Sequence, residues 1–176
     1  MHGPLVRWVC RDLPLVLRWG LLLGALPVFP GCAGEPEPLD DAAALDPSFL
    51  PARADYRMHC SVCHGKGGLG ATNLFPPLRG SEWANGDPAI PIRAVLHGVE
   101  GPLTVRGEKY MNKMAPLGRV LSDQQIATIL TYVRASWGNT GSPVSEDEVA
   151  RVRAETAGRD EPWTEEEFQA LVSRVP

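Results

Sequence analysis

Cysteine and histidine are scarce in this chain of 176 residues, with four of each. There is no second Cys-x-x-Cys and no spaced histidine pair, so a four-ligand structural zinc site lacks partners. No strand-helix-strand alternation surrounds the one Cys-x-x-Cys, which argues against a thioredoxin-like dithiol. No 20-to-50-residue repeat is visible, which excludes a solenoid. Long apolar runs are missing as well: the uncharged stretch "WGLLLGALPVFP", Trp19 to Pro30, is interrupted by Pro27 and falls short of the roughly 20 residues a membrane-spanning helix needs. Seventeen Lys and Arg against 21 Asp and Glu give a formal charge of −4, and nothing resembles a nucleic-acid-binding surface.

Proline and glycine, by contrast, are plentiful at 17 and 18, so loops should occupy much of the fold. A 44% apolar content suffices for one modest core. Arg7, Arg11 and Arg18 precede the short apolar run, and residues 1–31 read as a signal peptide of lipoprotein type. The following "FPGCAG" resembles a bacterial lipobox: Gly31 and Cys32 fit, Phe29 replaces the usual leucine, and Pro30 is atypical. The expectation is an exported, periplasmic chain held at the membrane by lipid on Cys32. Cys10 leaves with the leader, so Cys60 and Cys63 are the thiols of the folded region.

Three zones follow the leader. Residues 32–51 are acidic, proline-containing and aperiodic, and read as a tether. Residues 52–140 carry the motifs. Residues 141–176 are an acidic extension with helix starts at Ser145…Glu148 and Thr164…Glu167. In the central zone a helix with Ala52, Tyr56 and Cys60 on one face leads into the cysteines. A second is signalled by Asp87, Pro88 and a terminal Gly98, and a short hairpin by "LTVRGEKY". The strongest helix is "LSDQQIATILTYVRASWGN", with a capping box at Ser122 and Gln125 and a stripe of Ile126, Ile129, Leu130 and Val133.

The stretch "HCSVCHGKGG", residues 59–68, holds the chemistry. Cys-x-x-Cys-His is the attachment sequence for c-type haem: two thiols reach one haem edge, and the adjacent imidazole is placed to ligate iron. A metal-binding or thiol-redox module begins the same way. Three short helices in about ninety residues enclose little volume, and long loops inside a compact domain need an organising centre. A haem would supply it. Met114, in "KMAPLG", is a candidate sixth ligand, whereas Met58 lies too near the cysteines to reach the opposite haem face.

Taken together, "CSVCHG", "FPPLRG" and "MAPLGRVLSDQQIATILTYVRASWGN" resemble the small class I cytochromes c over about ninety residues. The resemblance implies an all-α fold, three main helices and long loops around one covalent haem c and its iron. It implies thioether bonds at Cys60 and Cys63, proximal ligation by His64 and distal ligation by Met114. It also implies that the Pro76 carbonyl receives the other N–H of His64, although Phe75 stands where the family often has glycine. Arg79 and Trp83 become candidate propionate partners. Tyr56 and Tyr132 would mark the crossing of first and last helices, while His59 and His97 are a surface and a helix-end histidine. The function implied is one-electron transfer rather than catalysis, between redox protein partners on the dehydrogenase or terminal oxidase side. An open-iron haem enzyme or gas sensor is the alternative. Residues 53–140 carry a net charge of +4 between two acidic flanks, and Lys66, Arg106, Lys109 and Lys113 are expected to steer an acidic partner toward the haem edge.

Overall fold

The computed structural model describes residues 46–174. The expected signal segment 1–31, the Cys32 lipidation site and most of the 32–51 tether lie outside the described residues. Regular structure is already present before residue 52. The Asp46 carboxylate accepts from the Ser48 amide at 2.8 Å and caps a 3-10 turn, Pro47–Phe49, that runs directly into helix α1, Leu50–His59. Phe49 packs on Tyr132 with ring centroids 5.9 Å apart. An acidic residue followed by proline looks like linker by composition, yet the same pair is a good helix start.

After α1 come the short helices α2, Ser61–His64, and α3, Glu82–Asn85, the latter capped by Ser81, which accepts from the Ala84 amide. Four residues carry no period, so α3 is invisible to pattern reading. Helix α4, Ala89–His97, ends at Gly98 with φ +79°, and the Asp87 carboxylate accepts from the Ala89 amide at 2.8 Å. Strands β1, Leu103–Val105, and β2, Glu108–Tyr110, pair antiparallel with Val105 opposite Glu108. Their two-residue turn, Arg106 and Gly107, has both φ angles positive, which suits the twist of a hairpin. Helix α5, Asp123–Ala135, has the expected reciprocal Ser122–Gln125 box and buries Ile126, Ile129, Leu130 and Val133. Helices α6, Glu146–Glu155, and α7, Glu165–Val172, complete the chain, with the Thr164–Glu167 box closed in both directions. No helix among the described residues is long and apolar enough to cross a membrane.

Helix α1 crosses α5 at an aromatic knot: Tyr56, Tyr132 and Trp137 have ring centroids 5.3 to 5.6 Å apart. Tyr56 and Tyr132 thus sit where the resemblance implied. The same buried cluster takes in Ile92, Val95 and Leu96 of α4 and Val144, Val149 and Val152 of the C-terminal residues. Val149 and Val152 are fully buried, and each contributes about 1.5 kcal/mol or more by leaving water. Val144, Val149 and Val152 of the C-terminal extension therefore belong to the core. A second cluster joins Ile90, Val99, Trp163 and Phe168.

Candidate haem site

Helix α2 is the Cys-x-x-Cys-His segment itself. The His64 amide donates to the Cys60 carbonyl at 3.0 Å and the Cys63 amide to the same oxygen at 3.2 Å. One helical turn puts positions i, i+3 and i+4 on one face, and Cys60, Cys63 and His64 all line one cavity. The turn stops at Gly65, whose carbonyl accepts from the Tyr56 hydroxyl at 2.7 Å, so the aromatic knot is tied to the motif. The two cysteines are not joined to each other. Burial, with smaller effects from Cys63 and Asp55, pushes the Cys60 thiol up to about 12.

The Nδ1–H of His64 donates to the Pro76 carbonyl at 2.9 Å. An acceptor there requires the proton on Nδ1 and leaves the lone pair on Nε2, the state a metal needs. Burial lowers the pKa of His64 below its usual 6.5, against the opposing effect of the Pro76 carbonyl, so the ring is held neutral. The carbonyl is brought in by Gly70, at φ +68°, where a Cβ would lie 2.2 Å from the Phe75 oxygen and 2.8 Å from that of Pro76. Only glycine permits that approach.

His64 and Met114 face a cavity with two lobes holding about 800 and 880 Å³ of space, mouths included. The lobes share Cys60, His64, Pro76, Val99, Leu103 and Met114 along their seam, so they form one continuous slot. The inner lobe is walled by apolar side chains of α4 and α5, among them Ile90, Val95, Ile129 and Val133. A flat apolar macrocycle fits such a slot, with a basic nitrogen, a thioether and two thiols on its walls. The residues present fit a covalent haem.

Trp83 also lines the inner lobe, but it spends its indole N–H on the Thr104 carbonyl at 2.7 Å. That corrects its expected role as a propionate donor: the indole binds β1 instead. Arg79 is exposed. Lys113 lines the outer lobe, while the cation on the wall of the inner lobe is Arg134, which the sequence did not single out. It is 2% exposed, and its guanidinium donates to the carbonyls of Ser142 (2.6 Å), Ala84 (2.6 Å) and Gly86 (3.0 Å) and to the Ser142 hydroxyl (3.2 Å). Its position on a helix whose neighbours are buried was the available signal. Phe168 of α7 was missed too, because the C-terminal residues read as separate from the site.

Other expected residues fall outside the slot or at its rim. His59 lines the outer lobe. His97 is turned to the C-terminal residues, with Nε2 2.7 Å from the Thr156 hydroxyl and Nδ1 3.1 Å from the Arg159 carbonyl. Among the described residues no three His, Cys, Asp or Glu side chains gather to hold a metal, so a zinc site finds no ligand set. Lys66, Arg106 and Lys109 are exposed, whereas Lys113 is paired to Glu100 at 2.8 Å.

The profile of the cytochrome c family matches residues 52–137. Cytochrome c-552 of Thermus thermophilus is 31% identical over 104 residues, covering 54% of this chain and 79% of that protein. The cytochrome c subunit of the quinone alcohol dehydrogenase of Gluconacetobacter polyoxogenes is 26% identical over 162 residues, 86% of this chain and 34% of that one. The cytochrome subunit of fructose dehydrogenase of Gluconobacter japonicus is 36% identical over 103 residues, 56% of this chain and 21% of that one. This chain thus spans about a third or less of those dehydrogenase subunits. It belongs to the cytochrome c family, whose cofactor is a covalently attached haem c with its iron and whose work is electron transfer.

Proposed function

We propose that the chain is an exported monohaem electron carrier in which Cys60 and Cys63 would form the thioether bonds to the haem and His64 Nε2 and the Met114 sulfur would hold its iron. The carrying observation is the slot that His64, its lone pair fixed on Nε2 by Pro76, lines together with Met114 and both cysteines. Bound haem c supplies a one-electron ferric/ferrous couple. The protein orients the imidazole, keeps water away through apolar walls and, through the thioether, favours the reduced state. With two protein ligands on iron, no position is left for a substrate, and the chain is read as a carrier rather than an enzyme.

Its partners are redox proteins on the dehydrogenase or terminal oxidase side. A dedicated role beside a membrane-associated dehydrogenase is supported by the likeness to two dehydrogenase cytochrome subunits. A periplasmic location with lipid on Cys32 agrees with the leader composition. Residues 52–140 are taken as the cytochrome c domain and 141–176 as an acidic helical extension, from which Val144, Val149 and Val152 enter the core.

The test is the absorption spectrum of the purified haem-loaded protein. A low-spin ferric haem with histidine nitrogen and methionine sulfur on iron shows a weak charge-transfer band at the far-red limit of the visible, at longer wavelength than the red band of a high-spin, open-site ferric haem. That far-red band should be present and vanish in Met114→Ala. Carbon monoxide binding to the reduced wild type at neutral pH would instead establish an open iron site.

A further inference from the structure

The last thirty-odd described residues are woven into the segment that carries Met114. We propose that Trp163, Glu165 and Phe168 act as positioning residues for that methionine, an inference resting on the reading of Met114 as an iron ligand. Val99 exchanges both backbone hydrogen bonds with Met114, amide to carbonyl at 3.1 Å and carbonyl to amide at 2.9 Å. The other edge of the same strip pairs in parallel with Trp163. The Trp163 amide donates to the Gly98 carbonyl at 3.0 Å, and the Glu100 amide donates to the Trp163 carbonyl at 2.9 Å. Val99 is therefore the middle rung of a three-rung ladder, Met114 on one side and Trp163 on the other. A Cβ at Gly98, where φ is +79°, would stand 2.4 Å from the Met114 oxygen, so the rungs sit as close as backbone allows.

The outer rung is itself immobilised. The Trp163 ring stacks on Phe168, centroids 5.7 Å apart and planes 19° apart, and the Arg159 guanidinium lies 3.7 Å over the Trp163 ring centroid. Glu167 pairs with Arg159 at 2.7 Å while closing the cap of α7 with Thr164. Glu165 accepts from the Thr104 amide at 2.9 Å, tying α7 to β1. Phe168, 2% exposed, lines the slot beside Met114 and packs on Trp83 at 5.8 Å.

A thioether is a weak neutral donor, and its loop is otherwise lightly held: Met111, Asn112, Lys113, Ala115 and Pro116 are all exposed. Whether sulfur keeps iron against stronger bases as pH rises depends on how costly it is for that loop to swing away. Tying its backbone through Val99 to a packed helix raises that cost. The C-terminal residues thus hold the ligand as well as filling the core.

The experiment follows the methionine charge-transfer band of oxidised, haem-loaded full-length protein against pH. In Trp163→Ala the pH at which the band is lost should fall by about one unit, a tenfold larger opening constant. Trp163→Phe, which keeps a ring on Phe168, should restore most of it. Should Trp163→Ala fail to fold, Glu165→Ala removes the tie to β1 and one side-chain bond from Gln169 within α7, and should shift the midpoint in the same direction. Val149→Ala, in the core but off the ladder, should lower Tm and leave the midpoint in place. Unchanged midpoints in the folded Trp163 and Glu165 variants, or midpoints that track Tm in Val149→Ala too, would overturn the positioning role while leaving methionine ligation intact. A wild type with no such band would overturn both.

Discussion

Gly70 and Pro76 touch backbone to backbone: a methyl on Gly70 would stand 2.7 Å from the Pro76 carbonyl carbon. That contact holds the oxygen which receives the His64 proton.

Gly70→Ala should therefore push the Pro76 carbonyl off the imidazole. At positive φ and without room, the substitution costs more than about 1 kcal/mol. Lower Tm and a higher reduction potential in the haem-loaded variant are expected, since an imidazole without its acceptor is a weaker donor to ferric iron. Thermal melts and a redox titration decide it, and wild-type values for both would refute the role given to Gly70.

Arg134 satisfies three backbone carbonyls from inside the protein. Arg134→Met keeps the bulk and removes the donors, orphaning buried oxygens at about 1 kcal/mol or more each. A loss on the order of 3 kcal/mol in denaturant unfolding is expected. Arg134→Lys should rescue little, because a point charge cannot reach the divergent acceptors that a planar fork spans.

Acidification should weaken the grip between α4 and the C-terminal residues. Burial holds the His97 imidazole below its ordinary 6.5; the Arg159 carbonyl opposes this, and the charges of Arg159, Arg153 and Arg93 add to it. The unfolded chain then takes up its proton first as pH falls. Stability from this residue is full above about 6.5 and declines from there down to the folded value. Urea midpoints measured across that window should slope less in His97→Gln than in wild type. Parallel slopes would contradict this account.

Glu100 screens one of the cations expected to guide a partner, through its 2.8 Å pair with Lys113. Glu100→Gln should raise the bimolecular rate with an acidic redox protein at low ionic strength by less than about tenfold, and the gain should disappear in high salt. A rate that ignores ionic strength in both proteins would remove steering from the picture.

Much of the site was legible because the covalent and ligand chemistry is local. Cys60, Cys63 and His64 are separated by one helical turn, and the family resemblance carried the expectation that Pro76 would accept from His64. Strong periodicity likewise exposed α5 and its Ser122–Gln125 box. What stayed hidden depended on distance along the chain. Arg134 finds its acceptors at Ala84 and Gly86, about fifty positions away, and Trp163 meets Val99 by backbone pairing that leaves no trace in side-chain pattern. The Trp83 indole looked available for a propionate until β1 supplied the Thr104 carbonyl. Residues 141–174 read as a helical extension beyond the family's core motifs, and which of its side chains go inside, Val144, Val149 and Val152, was not legible.

The shared burial of Tyr56 near the start and Val152 near the end has a consequence for biosynthesis. During synthesis Tyr56 emerges well before Val149 and Val152, so the cluster they share is completed only once those residues are available. Attachment machinery would then meet an open, accessible Cys-x-x-Cys-His segment, and a protease would find either a resistant whole or a chain degraded outright, with no stable carrier fragment ending near residue 140.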